Sequence, residues 1–111
     1  MPIIPNSSVN LTTGEALPDV HVPISKTLTV AGTAEDLALV PVGKKGRKFS
    51  LVNEGPGSAY IQIDGTATVA STEVRPGDVW YEENLAIATK LSFLGETGQT
   101  PKIRGALWAG D

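Results

Sequence analysis

The chain has 111 residues, a formal charge of -3 and no cysteine. That is enough for one domain with its own core, and it excludes disulfides and thiolate metal sites. A single histidine, His21, leaves a transition-metal centre with few donors beyond carboxylates, and the acidic balance argues against nucleic acid or an anionic membrane as partner.

Residues 1–25 have no lasting period of 2 or 3.6. Pro2, Pro5, Pro18 and Pro23 fix φ and remove backbone donors, so an extended segment is expected, not a helix. A disordered terminus is the plain alternative. Against it stand Ile3, Ile4, Val9, Leu11, Leu17, Val20, Val22 and Ile24, more apolar groups than a solvated tail carries. The segment therefore reads as an arm that lies along its own domain, a sister subunit or a larger surface, and residues 26–111 as the folded domain. The stretch MPIIPNSSVN lacks the basic and apolar regions of a signal peptide. No apolar run is long enough to span a bilayer, so expression in a cytoplasm is expected.

From Lys26 the pattern alternates. KTLTVAG puts Leu28 and Val30 on one face, and DLALVPVG continues as a strand that Pro41 restricts to an edge or interrupts. GKKG at 43–46 reads as a turn. RKFSLVN and SAYIQID direct Phe49 and Leu51, then Ala59, Ile61 and Ile63, toward a core. The Gly55-Pro56-Gly57 loop between them predicts an antiparallel hairpin. A short edge strand is expected near Val69, and Val74–Asp78 carries the Pro-Gly pair of a type II turn. In VWYEE, Val79 and Tyr81 share one face and Trp80 takes the other. Glu82–Thr89 admits one or two helical turns, Lys90–Leu94 forms a strand, and KIRGALW ends the domain with Ile103 and Leu107 opposite Trp108. About seven or eight short strands with turns between them specify an all-β fold, a compact antiparallel β-sandwich or barrel with an extended N-terminal arm.

Chemistry is sparse. His21 lies in the Pro-rich arm, a poor platform for a triad, and no nucleophile or phosphate-loop motif occurs. Proline in Gly55-Pro56-Gly57 lacks the N–H that an anion would face. The carboxylates Glu54, Asp64, Asp78, Glu82 and Glu83 read as solvated strand ends, and Glu82 and Glu83 point to opposite faces of a strand. The expectation is a non-enzymatic protein with no cofactor and no metal. Lys44, Lys45, Arg47 and Lys48 are either a solvated turn or a docking patch for an acidic partner. Trp80 and Trp108 are either core or interface anchors, or with Tyr60 and Tyr81 a sugar platform.

The order of elements resembles small β-rich virion proteins of tailed bacteriophages. The resemblance rests on an Arg-led strand ending in Asn (Arg47–Asn53), an aromatic-led strand ending near Asp-Gly-Thr (Tyr60–Thr66) and the Pro76-Gly77-Asp78 turn, and it covers roughly residues 45–108. Among such proteins it is most similar to capsid decoration, or cement, proteins. That resemblance implies a place on the capsid surface of a virion assembled in the bacterial host cytoplasm. It implies binding to the major capsid protein and a homo-oligomer, with a trimer among the forms. Tail, head–tail connector, baseplate and fibre proteins share the layout, and a carbohydrate-binding module is the alternative outside it. The partner-binding residues expected on this reading are Ile3, Ile4, Val9 and Leu11 of the arm, the four basic residues at 44–48, Trp80 and Trp108.

Overall fold

The structure, a computed structural model, describes residues 19–111. Eight strands form: β1 (Val20–Thr27), β2 (Glu35–Ala38), β3 (Lys45–Asn53), β4 (Ala59–Ile63), β5 (Thr72–Val74), β6 (Val79–Glu82), β7 (Lys90–Gly95) and β8 (Lys102–Gly110). They make two four-stranded antiparallel sheets, ordered β1-β8-β3-β6 and β2-β7-β4-β5. The expected all-β sandwich is thus present.

The core lies between the sheets. Ile24, Phe49, Leu51, Ile103 and Leu107 enter from the first sheet, and Ala59, Ile61, Val74, Leu91 and Phe93 from the second. Each set alternates along its strand, as the pleat requires. Leu28, Leu39 and Ile87 close the core from the connections, so a loop residue as well as a strand residue can seal the layer.

Several elements differ from the sequence reading. The arm boundary at residue 25 falls inside β1, where Val20 to Thr27 pair with Ala109 to Lys102. Leu28 is buried beyond the end of that strand while Val30 is exposed. The strand at 36–42 stops at Ala38, an edge of its sheet, because the chain leaves the ladder ahead of Pro41. Its turn comes before the predicted one: Lys44 N donates to Pro41 O at 3.1 Å, and Gly43 supplies φ of 82°. The edge strand expected near Val69 is β5 at Thr72–Val74, and Val69 is solvent-exposed. No helix forms among the described residues, and 82–89 instead bridges through Ile87 to Gly46.

The largest difference concerns FSLVNEGPGSAYIQIDG. Strands β3 and β4 are not a hairpin. They belong to different sheets, with β3 between β8 and β6 and β4 between β7 and β5. The Gly55-Pro56-Gly57 segment is an arch that carries the chain across the core. The buried side chain of Asn53 holds it: Nδ2 donates to Gly57 O at 2.9 Å and Val74 O at 2.8 Å, and Oδ1 accepts from Gly55 N at 2.7 Å. The backbone of Asn53 also pins the next arch, accepting from Gly77 N and donating to Asp78 O. That second arch is the expected turn, with Asp78 N donating to Arg75 O at 2.9 Å and Gly77 at φ 88°.

Candidate interaction surface

The outer face of the first sheet can be read from its register. Outward residues fall in rows across β1, β8, β3 and β6. One row holds His21, Trp108 and Lys48. The next holds Pro23, Ala106, Ser50 and Tyr81, and the third Ser25, Arg104, Val52 and Val79. Thr27 and Lys102 begin a fourth, beside Glu54, whose N–H donates to Lys102 O. None of these side chains belongs to the core, and Val79 and Tyr81 are 64% and 51% exposed. Val52 and Val79 share their row with Arg104, and the row of Pro23, Ala106, Ser50 and Tyr81 is the uncharged part of the face. Charged groups stand around it: Lys48 at one end, and Arg104 and Glu54, 3.4 Å apart, toward the other.

The tryptophans divide. Trp108 lies on this outer face, with the Lys48 ammonium 5.3 Å from its ring centroid and the His21 ring 5.3 Å away. Trp80 points the other way. It packs edge-on against Phe49 at 4.9 Å, and its indole N–H donates to Glu82 at 3.1 Å. The same strand phase that turns Trp80 inward turns Val79 and Tyr81 outward. Sequence alternation separates these two sets, but only the contact with Phe49 shows which is outside.

The basic residues also divide. Lys44 pairs with Asp111 at 3.3 Å, whereas Lys45, Arg47 and Lys48 form no ion pair among the described residues. A bulge between Gly46 and Lys48 inserts Arg47 as the extra residue of β3. Gly46 turns inward against Ile87, at the start of β3 where Lys45, Arg47 and Lys48 lie. Ile3, Ile4, Val9 and Leu11 lie outside the described residues.

The carboxylates are largely architectural. Asp64 accepts from the backbone N–H groups of Ala88, Thr89 and Lys90 at 2.7, 2.8 and 3.2 Å. Burial alone would raise its pKa, but these donors outweigh it and hold the group below the ordinary carboxylate value. Glu35 ties the sheets together across their β1 and β2 edges. It accepts from Thr29 N and Val30 N at 2.8 and 3.0 Å and pairs with Lys26 at 3.1 Å. Here too burial acts upward, and the two N–H donors with Lys26 overcome it, lowering the pKa from 4.5 to about 2. A depressed pKa contributes stability above the unfolded value, and that contribution is lost as pH falls from about 4.5 toward 2. Glu35→Gln should therefore cost on the order of 2 kcal/mol at neutral pH and much less near pH 2, measured by urea unfolding across that range.

A concavity of about 230 Å³ opens between β5 and β6, lined by Thr72, Glu73, Val74, Asp78, Val79 and Trp80. Its acidic groups have partners: Glu73 accepts from Ser58 Oγ at 2.8 Å, and Asp78 accepts from Arg75 N at 3.3 Å. Among the described residues no group of three or more His, Asp or Glu side chains could hold a metal ion, and no helix is long and apolar enough to cross a membrane. No family model, no curated protein and no solved structure matches the chain.

Proposed function

We propose that the protein is a non-enzymatic structural component of a phage virion, a capsid decoration protein that binds the major capsid protein. The observation that carries an association role is the uncharged outer row of Pro23, Ala106, Ser50 and Tyr81, with Val52 and Val79 beside it and charged groups on both sides. That is the composition of a protein interface, with an apolar and aromatic centre inside a polar rim. The virion setting rests on the resemblance of residues 45–108 to small phage β-proteins. A ligand that binds only an assembled shell stabilises it by mass action, so such a protein needs surfaces and no reactive group. Attachment through the arm is part of the same reading, with Ile3, Ile4, Val9 and Leu11 as contacts.

The test is the copy number in purified particles, by quantitative mass spectrometry against the major capsid protein. Parity with the capsid subunit is the expected result. A few to a dozen copies would move the protein to the tail, connector, baseplate or fibre, and complete absence from particles would overturn the virion reading. Truncation refines it. Removing residues 1–18 should abolish attachment and leave the described domain folded, whereas removal through residue 25 also deletes most of β1 and should unfold it.

A second reading has one observation in its favour. Trp80 and hydrogen-bonding groups from Thr72, Glu73 and Asp78 line the groove between β5 and β6, which is the chemistry of a small carbohydrate site. Glycan-array binding by the wild-type protein, lost in Glu73→Ala, is what that reading requires.

A further inference from the structure

We infer that the open edge of β6 accepts a further strand, supplied by an extended peptide in which basic and apolar residues alternate. That edge is distinct from the outer row described above, which lies on the face of the sheet. Strand β6 ends the order β1-β8-β3-β6, and no strand of the described residues pairs with its other side. Asn53 N donates to Asp78 O at 3.2 Å. Backbone groups alternate in direction along an antiparallel ladder, so those in step with Asp78, on Trp80 and Glu82, point toward β3. The N–H and C=O groups of Val79 and Tyr81 then point away from it. They form a short, exposed template for main-chain pairing.

The side chains define what fits. An added strand continues the pleat, so its side chains alternate between the groove beside β5 and the outer face. On the groove side stand Asp78 and Trp80, with Glu73 of β5 in the same lining and Glu82 bonded to the indole. On the outer side stand Val79 and Tyr81, both exposed. Residues 72–83 carry four carboxylates, Glu73, Asp78, Glu82 and Glu83, against one cation, Arg75. Lys48 of the neighbouring strand reaches the other way, over Trp108. A lysine or arginine entering the groove therefore meets carboxylates and an indole ring, and an apolar side chain outside extends the surface of Val79 and Tyr81. The same charges argue against the chain itself as occupant. Pairing β6 with β6 of a second copy, Val79 opposite Tyr81, sets Asp78 opposite Glu82 twice. Residues 1–18 have Glu15 as their only charged side chain and supply no basic one.

The probe is an acetylated, amidated heptapeptide of alternating lysine and valine, titrated into the full chain and followed by amide NMR shifts and hydrogen exchange. Half-saturation below about 1 mM is expected, with exchange at the Val79 and Tyr81 amides slowed at least about twofold at saturation. Methylating the backbone nitrogens of either the valines or the lysines keeps the charge. One of the two peptides should bind at least about tenfold more weakly than the other, because only alternate amides face β6. Asp78→Asn with Glu82→Gln keeps the acceptors for Arg75 N and the Trp80 indole. It should weaken binding at least about fivefold with an unchanged melting temperature. No binding at about 1 mM overturns the inference, and a glycan that binds where the peptide does not returns the groove to the carbohydrate reading. Equal binding by the two methylated peptides overturns strand addition. Binding unchanged in the double variant, or shared by an alternating glutamate–valine peptide, overturns the basic chemistry.

Discussion

Replacing Asn53 with alanine should lower stability by about 3 kcal/mol, one of the largest effects expected of any polar side chain in the domain. The side chain is fully buried and makes three hydrogen bonds, each to the backbone of a different segment end. A truncation leaves Val74 O and Gly57 O without their amide donor and Gly55 N without its acceptor, the first in a buried site and the other two in part-buried ones. Burying such groups unpaired is costlier than the net worth of the bonds themselves. Two arches lose their common tether at once, since Gly55–Gly57 leads into β4 and Val74 ends β5 before the chain crosses back to β6. Asn53→Asp is the sharper companion. It keeps an acceptor for Gly55 N but has no amide to donate, and it places a carboxylate against two carbonyl oxygens, so it should lose at least as much. Urea unfolding at neutral pH measures both, with a lower midpoint and an unchanged slope. A loss below about 1 kcal/mol in Asn53→Ala would show that the arches hold without the side chain.

Asn53 also shows what a single sequence conveys and what it withholds. The alternation in β3 and β4 is plain in the residues: of the positions it turns inward, Phe49, Leu51, Ala59 and Ile61 are buried and Ile63 is partly buried against the core. The turn between the strands is equally plain. What residue types do not encode is whether a Gly-Pro-Gly turn returns the chain beside its neighbour or carries it over the core to the other sheet. Both need glycine at positive φ, and both follow an apolar strand. The difference lies in the asparagine before the turn, whose side chain satisfies backbone groups 4 and 21 residues away. A contact over 21 residues leaves no trace in local pattern.

The same limit governs the interaction surface. Lys44–Lys48 stands out in sequence because charge is conspicuous, yet the fold disperses it: one lysine pairs with Asp111, one covers Trp108, and a bulge sets Arg47 apart. The uncharged row is less conspicuous because its members come from β1, β8, β3 and β6, strands adjacent in space and scattered along the chain. Each contributes one outward residue that looks ordinary alone. Their phase was legible in the alternation of Val79, Trp80 and Tyr81. Their side of the sheet was not, because large apolar residues occupy both phases there, and only packing against Phe49 selects the indole for the inside.

Gly105→Ala should be among the most damaging single substitutions in the chain, destabilising it by about 3 kcal/mol or more. Two independent costs meet at this position. Its φ of 157° belongs to a region that side chains rarely adopt. A Cβ there would also overlap the carbonyl of Ser50 on the paired strand, a rigid backbone group and not the end of a flexible side chain. The ladder must open or the strand must rotate, and β8 is a central strand with β1 on one side and β3 on the other. Opening it disturbs Ile103 and Leu107 in the core and shifts Arg104 and Ala106 on the outer face together. Gly43→Ala is the control: it too has positive φ, but nothing lies within 4 Å of its Cβ position, so only the backbone cost of about 1 kcal/mol applies. Thermal and urea unfolding of the two variants therefore separate conformational strain from strand contact. Equal losses would show that the approach of β8 to β3 relaxes freely. A much larger loss in Gly105→Ala would show that this glycine fixes the spacing of the sheet, and with it the geometry of the surface the sheet presents.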